Sequence, residues 1–233
     1  MAIYYIRKSG SDANSGLSPS LAWLTIGKAL LAGGISSGDT VYVGAGVYRE
    51  NITVGITSPT EETKIIADVT GFHTGDSGEV RWTSFTTDDV TAAPVGRTLL
   101  VASTKNFLTF QGFTIVGGQA ACFTFSNSCF NIKIIKCAII ASVTLILNQN
   151  NSPSSGTQHP QNVTWDSCIF YISSGAAIRI TMTLDASTDY DANIIIKNCL
   201  FIGGGSQIFV SSTGAGSGKP GGVKIYNCTF LGG

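Results

Sequence analysis

Four cysteines recur at regular intervals in the second half of the chain. They are Cys137, Cys168, Cys199 and Cys228, and consecutive members are 31, 31 and 29 residues apart. Zinc sites usually draw on cysteines only two to four residues apart, so that four ligands converge on one ion. The closest two cysteines of this chain, Cys122 and Cys129, are seven residues apart. We therefore interpret the four cysteines as small apolar side chains stacked in one buried column, and not as metal ligands.

Asp166 and Lys197 are the candidates for acid–base catalysis. A carboxylate or an amine can move a proton at a reacting group when its pKa suits the task. Hydrolysis of a glycosidic bond, however, needs two or three carboxylates around that bond. Asp166 is the one carboxylate that the sequence pattern places on the outward face described below. An ion pair between Asp166 and Lys197 is the simpler interpretation, and exposed pairs of this kind stabilise little.

A polar loop holds three further carboxylates around a tyrosine. Asp185, Asp189 and Asp191 fall within seven residues and flank Tyr190. Clustered carboxylate oxygens can bind Ca²⁺, although this spacing lacks the glycine and the closing glutamate of an EF-hand loop. A solvated loop is the alternative interpretation. Tyr190 and the outward-facing Tyr226 are the candidates for ligand binding, and no cofactor other than calcium is indicated.

The four cysteines belong to a repeat of eight residues that occurs five times. The segments are LTFQGFTI (Leu108–Ile115), IKIIKCAI (Ile132–Ile139), VTWDSCIF (Val163–Phe170), IIIKNCLF (Ile194–Phe201) and VKIYNCTF (Val223–Phe230), and their starts are 24, 31, 31 and 29 residues apart. Positions one and three are apolar and position two is mostly polar, which is the alternation of a strand with one buried face. The next apolar positions are six and eight, so the alternation changes phase within the repeat.

A bend at position five accounts for this change of phase, because a straight strand would send positions six and eight to the opposite face. Position five is occupied by Gly112, Lys136, Ser167, Asn198 and Asn227. Glycine and asparagine tolerate the left-handed conformation of a sharp corner, whereas Lys136 fits it least well. Asn198 and Asn227 could act as a ligand pair. We interpret them instead as a short amide ladder, in which each side chain bonds to the neighbouring repeat.

Most repeats are followed by a third short apolar run, as in residues 122–125, 143–147, 177–182 and 207–210, and then by a polar loop. Three strands per turn, repeated every 24–31 residues, predict an all-β fold, namely a right-handed parallel β-helix. Upstream, residues 21–34 predict an amphipathic helix that caps the open edge of the stack. We expect residues 1–37 to form an N-terminal strand, a loop and this capping helix, and residues 38–233 to form the β-helix.

Charge and hydropathy exclude several classes of function. The 14 basic and 14 acidic residues cancel, which removes the electrostatic basis for binding nucleic acid or an anionic membrane surface. No run of about 18 apolar residues is present, so no membrane-spanning segment is predicted. The first residues, MAIYYIRKSGSD, lack the basic and apolar regions of a secretory signal. We expect synthesis in the cytoplasm without a signal peptide, with the cysteines reduced.

The N-terminal residues resemble those of a known family. YYIRKSGSDANSGLSPSLAWLTIGKAL, followed by GDTVYVGAGVYRENITV, is similar to the opening signature of pectate-lyase-like right-handed parallel β-helix proteins. That signature pairs a GSDxNxG loop with a TIxxAL helix and a GDTVxVxxGxYxE strand, and the resemblance covers essentially the whole chain. It implies the fold but no single activity, because the family includes polysaccharide lyases, glycoside hydrolases, epimerases, and phage tailspike, fibre and decoration proteins. The start without a secretion signal looks more like the phage members.

Two functions remain as hypotheses. The first is a non-enzymatic structural protein of a phage particle, located in the virion and contacting surface polysaccharide. We expect it to be a homo-oligomer, with a trimer favoured, or to assemble with other virion proteins, because Phe230 and Leu231 would leave an apolar edge for a partner or a chain continuing beyond residue 233 to cover. The second is a polysaccharide lyase or glycoside hydrolase that acts through Asp166 and Lys197. A glycan-binding module without catalysis is a third alternative.

Overall fold

The structure is a computed structural model. It describes residues 1–88, 98–117, 121–126, 129–141, 145–150, 161–172, 176–183, 190–203, 208–213 and 220–232. Within these residues the chain forms three sheets and little helix. None of the helices in the described ranges has the length and apolar character needed to cross a bilayer.

Each strand belongs to one of three sheets. The first sheet contains β1 (Ile3–Ile6), β2 (Thr40–Val43), β5 (Thr63–Ala67), β8 (Leu108–Gln111), β11 (Phe130–Ile135), β14 (Gln161–Asp166), β17 (Tyr190–Lys197) and β20 (Pro220–Tyr226). The second contains β3 (Gly46–Arg49), β6 (Val80–Thr83), β9 (Thr114–Val116), β12 (Ala138–Ala141), β15 (Ile169–Ile172), β18 (Leu200–Gly203) and β21 (Thr229–Leu231). The third contains β4 (Ile52–Thr53), β7 (Thr98–Ser103), β10 (Ala121–Ser126), β13 (Leu145–Asn150), β16 (Ala176–Thr183) and β19 (Ile208–Thr213). Neighbouring strands pair in parallel, which is the arrangement of a parallel β-helix.

Positions three and eight of the repeat stack in register, as the sequence predicts. Ile134 pairs with Phe110 on one side and with Trp165 on the other. Phe170 and Phe201 stack with their ring centroids 4.6 Å apart. Both positions are fully buried in the first four repeats. Their side chains belong to one hydrophobic cluster that fills the interior between the sheets.

Position five has a left-handed backbone in all five repeats, which confirms the predicted corner. The φ angles are 81° at Gly112, 54° at Lys136, 58° at Ser167, 56° at Asn198 and 48° at Asn227. The corner N–H groups of the first four repeats donate to the position-four carbonyl of the next repeat, as Lys136 N does to Asp166 O at 2.9 Å. The corner therefore turns the side chains of positions six and eight toward the interior, and the main-chain hydrogen bonds between repeats are kept.

A second left-handed position lies directly before each repeat, and the sequence analysis missed it. Its residues are Phe107, Asn131, Asn162, Asn193 and Gly222, with φ angles of 54°, 57°, 54°, 44° and 83°. Asn193 Nδ2 donates to Asn162 Oδ1 at 2.7 Å. The asparagine that recurs before position one was the available signal for this bend, because asparagine tolerates the left-handed region.

The N-terminal helix is shorter than the predicted residues 21–34, and this part of the prediction is wrong. The α-helix, α1, spans only Ile26–Leu30. Trp23 instead extends the first sheet, because its N–H donates to Tyr5 O at 2.9 Å. At the other end, Leu30 O accepts a hydrogen bond at 2.8 Å from Gly55 N, which lies just after β4. Main-chain partners at both ends therefore limit the helix.

Glu50, which follows β3, holds the N-terminus of α1. Its two carboxylate oxygens accept hydrogen bonds from Ile26 N at 3.0 Å and from Gly27 N at 2.7 Å. Thr25 caps the same end by accepting from Lys28 N at 3.1 Å. Burial raises the pKa of Glu50, and the two helix N–H groups oppose this rise because they stabilise the charged form.

Glu50→Ala is expected to lower the free energy of unfolding by about 1–3 kcal/mol, because two helix N–H groups lose their acceptor. Glu50→Gln keeps one acceptor oxygen and should cost less. Urea denaturation followed by circular dichroism measures both variants. Glu79→Ala is the control, since Glu79 forms an exposed pair with Arg81 and should change stability by less than about 0.5 kcal/mol. Equal losses for Glu50→Ala and Glu79→Ala would contradict this role of Glu50.

Lys136→Asn is expected to raise the free energy of unfolding by about 0.5–1 kcal/mol, because asparagine adopts the left-handed corner with less strain than lysine. Lys136→Ala is the matched control, since alanine removes the same exposed side chain but keeps the strain. Urea denaturation of the three proteins gives the comparison. A gain of equal size in both variants would show that the lysine side chain, and not the backbone, sets the difference.

Candidate functional site

The outward face of the first sheet carries the polar groups that the sequence singles out. Positions two and four of each repeat point to this face, opposite to the buried positions one and three. The position-two side chains in successive strands are Lys64, Thr109, Lys133, Thr164, Ile195 and Lys224. Asp166 and Lys197 pair in register at position four of neighbouring strands. Apart from Ile195, these side chains form a ladder of polar and charged groups along the β-helix.

Asp166 is fully engaged by its neighbours. Its Oδ2 forms an ion pair with Lys197 Nζ at 3.1 Å, and its Oδ1 accepts hydrogen bonds from Ser167 Oγ at 2.9 Å and Asn198 Nδ2 at 3.0 Å. Burial by itself would raise the pKa of Asp166, but the contacts with Asn198, Ser167 and Lys197 outweigh it and lower the pKa. Asp166 thus stays ionised, and its oxygens are already committed to structural partners.

Asn198 and Asn227 form a direct amide contact. Asn227 Nδ2 donates to Asn198 Oδ1 at 2.9 Å. With the bond from Asn198 to Asp166, this makes a chain of side-chain hydrogen bonds across three successive repeats. Asn198, in the middle, accepts from Asn227 and donates to Asp166, as in an amide ladder.

The four cysteines at position six stand above one another as free thiols. Each thiol lies near two carbonyl oxygens, at position three of the preceding repeat and at position four of its own repeat. The distances to the preceding repeat are 3.9, 3.4, 3.8 and 3.6 Å for Cys137, Cys168, Cys199 and Cys228. Those to the own repeat are 3.4, 3.5, 3.1 and 3.2 Å in the same order. Burial raises the pKa of the Cys137 thiol to about 12, which disfavours the thiolate that metals bind. Among the described residues no group of three or more His, Cys, Asp or Glu side chains could hold a metal ion.

A second charged cluster, centred on Glu62, lies on the same face. Glu62 Oε1 accepts hydrogen bonds from Lys133 Nζ at 2.7 Å and from Thr109 Oγ1 at 3.0 Å, and Glu62 Oε2 pairs with Lys64 Nζ at 3.2 Å. Hydrogen bonding from Lys133, together with that from Lys64 and Thr109, lowers the pKa of Glu62 to about 2 against the effect of burial. The expectation that Asp166 is the one carboxylate on this face is therefore wrong.

The sequence held a signal for the Glu62 cluster. Thr63 pairs with Leu108, so Thr63 occupies position one of an earlier copy of the repeat. Glu62 then stands directly before position one, and Lys64 stands at position two, facing outward. The copy was missed because Asp68 and Thr70 stand at positions six and eight, where the later repeats have cysteine or phenylalanine and a large apolar side chain.

A pocket of about 480 Å³ opens beside this cluster. It is lined by Glu61, Glu62, Phe107, Asn131 and Lys133. Phe107 and Asn131 belong to the left-handed column before the repeats, so the bend of the strand shapes the pocket wall. An aromatic ring, an amide, an amine and two carboxylates thus surround one opening, which provides both an apolar contact and several hydrogen-bonding groups.

Glu62 and Asp166 are too far apart to act on one bond. Glu62 directly precedes β5 and Asp166 ends β14, three strands further along the first sheet, and the two residues are four positions apart along the repeat. Strand spacing and residue rise put their backbones about 19 Å from each other. The paired carboxylates of glycoside hydrolases lie about 5–10 Å apart. Each carboxylate is therefore a separate ion-paired group.

The remaining predicted site residues are dispersed. Asp185 and Asp189 lie outside the described residues, so the calcium prediction stays a prediction. Tyr190 and Asp191 are at the start of β17, whereas Tyr226 is at the end of the neighbouring strand β20. Tyr226, which is 53% exposed, and Tyr190 therefore lie at opposite ends of the two strands and do not form one site.

Comparison with known proteins identifies the fold alone. No protein-family model matches the chain, and no curated protein sequence does. A rhamnogalacturonan lyase structure is similar with a TM-score of 0.58 and 15% identity, over 98% of this chain and 67% of the other. A pectin methylesterase from Aspergillus niger has a TM-score of 0.42 and 14% identity, over 98% of this chain and 85% of the other. The likeness to the lyase agrees with the pectate-lyase-like β-helix that the N-terminal residues suggest.

Glu62 is expected to make stability fall at acidic pH. Its pKa is lower in the folded protein than its ordinary value of 4.5, so its stabilising effect is present above about pH 4.5 and is lost as the pH falls toward about 2. Glu62→Gln should flatten this part of the curve of unfolding free energy against pH, measured by urea denaturation from pH 2 to pH 7. Glu61→Gln is the neighbouring control. If both variants keep the wild-type curve, the Glu62 cluster does not contribute to folding.

Proposed function

We propose that this protein is a non-enzymatic structural component of a phage particle, such as a fibre, tailspike or decoration protein, and that it contacts surface glycans. One observation carries the non-enzymatic part. On the outward face of the first sheet, the two described carboxylates with resolved ion pairs, Glu62 and Asp166, are each bound to lysine and lie too far apart to share a bond. A cleavage site would need them close together.

The proposed function assumes that the β-helix is a rigid rod. We take the β-helix to be right-handed, in keeping with the general preference of parallel crossovers, and to have three strands per coil. Support comes from strands β8, β9 and β10, which fall in the first, second and third sheets in turn. We also take α1 to cap the edge strand β4, since Leu30 O accepts from Gly55 N at 2.8 Å and Ile56 N at 3.2 Å. Such a stack gains stability from every repeat.

Glycan contact is assigned to the pocket beside Glu62. Its amine, amide and carboxylate groups can exchange hydrogen bonds with sugar hydroxyls, and Phe107 offers an apolar surface. We also propose that the protein assembles, either as a homo-oligomer, with a trimer favoured, or with other virion proteins.

A polysaccharide lyase is the second candidate. It is favoured by one feature, the presence of Lys133 at the edge of a pocket, because an amine can serve as a catalytic base. The 2.7 Å contact with Glu62 works against this role, because the amine is already engaged by a carboxylate.

Purified protein is expected to release neither unsaturated nor reducing sugars from a panel of acidic polysaccharides, because Asp166 and Glu62 are held in ion pairs. Absorbance of unsaturated products and a reducing-sugar assay measure the two reactions. Release of product that is abolished by Lys133→Met or by Asp166→Ala would overturn the proposal in favour of an enzyme.

The virion assignment is tested separately. An antibody raised against the protein should label purified phage particles from the host in immunoelectron microscopy, and light scattering of the protein should give an oligomeric mass. Particles without label would overturn the phage assignment, and a monomeric mass would overturn the homo-oligomer.

A further inference from the structure

Three aromatic rings form a step on the outward face of the first sheet, near its N-terminal end. His73 stacks on Tyr42, with the ring centroids 3.6 Å apart and the planes 12° from parallel. Phe72 meets His73 edge-on at 5.0 Å and 86°. Tyr5, in register with Tyr42 on β1, lies 6.3 Å from it. We call Phe72, His73 and Tyr42 the aromatic step; it is separate from the ion pairs of Asp166 and Glu62.

A buried carboxylate holds the loop that presents the step. Asp68, 5% exposed, accepts at Oδ2 from the backbone N–H groups of His73 at 2.8 Å and Thr74 at 2.7 Å, and from Thr74 Oγ1 at 2.9 Å. Its Oδ1 accepts from Thr70 Oγ1 at 3.2 Å. Burial would raise the pKa of Asp68, but these hydrogen bonds lower it overall. The backbone that carries Phe72 and His73 is thus fixed by an ionised, buried group.

A second anchor fixes the far end of the same loop. Asp76 receives two parallel hydrogen bonds from Arg7 of the neighbouring coil, from Nε at 2.7 Å and from Nη2 at 2.6 Å. Bidentate pairs of this kind add geometric precision as well as attraction. Gly71 has a left-handed φ of 70°, and a side chain there would meet Ser77 N at 2.7 Å. The aromatic step is therefore pre-organised before any ligand arrives.

Phe72 gains little from folding in this position. Its side chain is 84% exposed, although burial of such a ring would contribute about 1.5–3 kcal/mol. The rest of the loop, residues 69–79, has one other large apolar side chain outside the step, Val69. A stable protein interface buries roughly 800 Å² per partner, whereas this loop exposes only two large apolar side chains, Phe72 and Val69. A single exposed ring with polar neighbours suits a ligand that is about as wide as the ring and apolar on one face only.

We propose that the aromatic step is a stacking subsite for one pyranose ring of a polysaccharide. The C–H groups on one face of a pyranose are apolar and slightly positive, so they pack on the electron-rich face of an aromatic ring while the hydroxyls stay in water. The inference rests on the proposed glycan contact and deepens it. Strand spacing and residue rise place Tyr42 about 14 Å from Glu62 on the adjacent strand, so one polysaccharide chain can reach both the step and the pocket.

The test compares polysaccharide binding by the wild type and four variants in affinity gel electrophoresis, with rhamnogalacturonan, polygalacturonate and dextran as probes. Phe72→Ala should weaken binding about three- to tenfold, in line with the energies of aromatic stacking, and Phe72→Trp should retain it. Tyr171→Ala is the matched control, because Tyr171 is an exposed ring on the second sheet, and it should leave binding unchanged. Circular dichroism checks that each variant is folded.

Each outcome decides between the inferences. If the wild type binds a probe and Phe72→Ala binds it equally well, the stacking subsite is wrong while the glycan contact stands. If Phe72→Ala binds as the wild type does and Lys133→Met loses binding, the glycan contact is located at the pocket alone. If the wild type binds none of the probes, both the glycan contact and the subsite are overturned. A change of oligomeric mass on Phe72→Ala would assign the ring to a protein interface and would also overturn the subsite.

Discussion

The left-handed corner at position five is the constraint on which this fold depends. A strand alternates its side chains, so positions one and three can be buried together with positions six and eight only if the chain turns between them. The corner N–H then bonds to the next repeat, as Ser167 N does to Lys197 O at 3.1 Å. The turn thus preserves main-chain pairing while it carries the chain from the first sheet to the second.

The corner also determines what the neighbouring side chains can do. It directs position six inward, where a small cysteine fits and where its thiol meets the carbonyl of the preceding repeat. It directs Asn198 outward, where it bonds to Asp166. The asparagine–cysteine pair that recurs at residues 198–199 and 227–228 is therefore divided by the backbone. Its two members face different environments and cannot act as one reactive unit.

Stacking of similar repeats spreads charge along the outward face and does not concentrate it. Glu62 contacts Thr109 and Lys133 from the next two strands, and Asp166 contacts Lys197 from the next strand. Each carboxylate has a lysine within 3.2 Å, so its negative charge is balanced locally. Acid–base catalysis requires groups whose pKa values are poised near the working pH, whereas the hydrogen bonds and ion pairs lower the pKa of both Glu62 and Asp166.

The sequence by itself determined the parallel β-helix, the corners and the buried columns, because the pattern that specifies them recurs in every repeat. It overestimated α1, since Trp23 N donates its hydrogen bond to Tyr5 O in β1, which lies outside the amphipathic segment. It also missed Glu62 and the stack of His73 on Tyr42. These residues lie just outside the periodic segments, and their partners belong to other coils. Only the tertiary structure decided such contacts, because parallel stacking brings together residues whose separation in the chain leaves no local pattern.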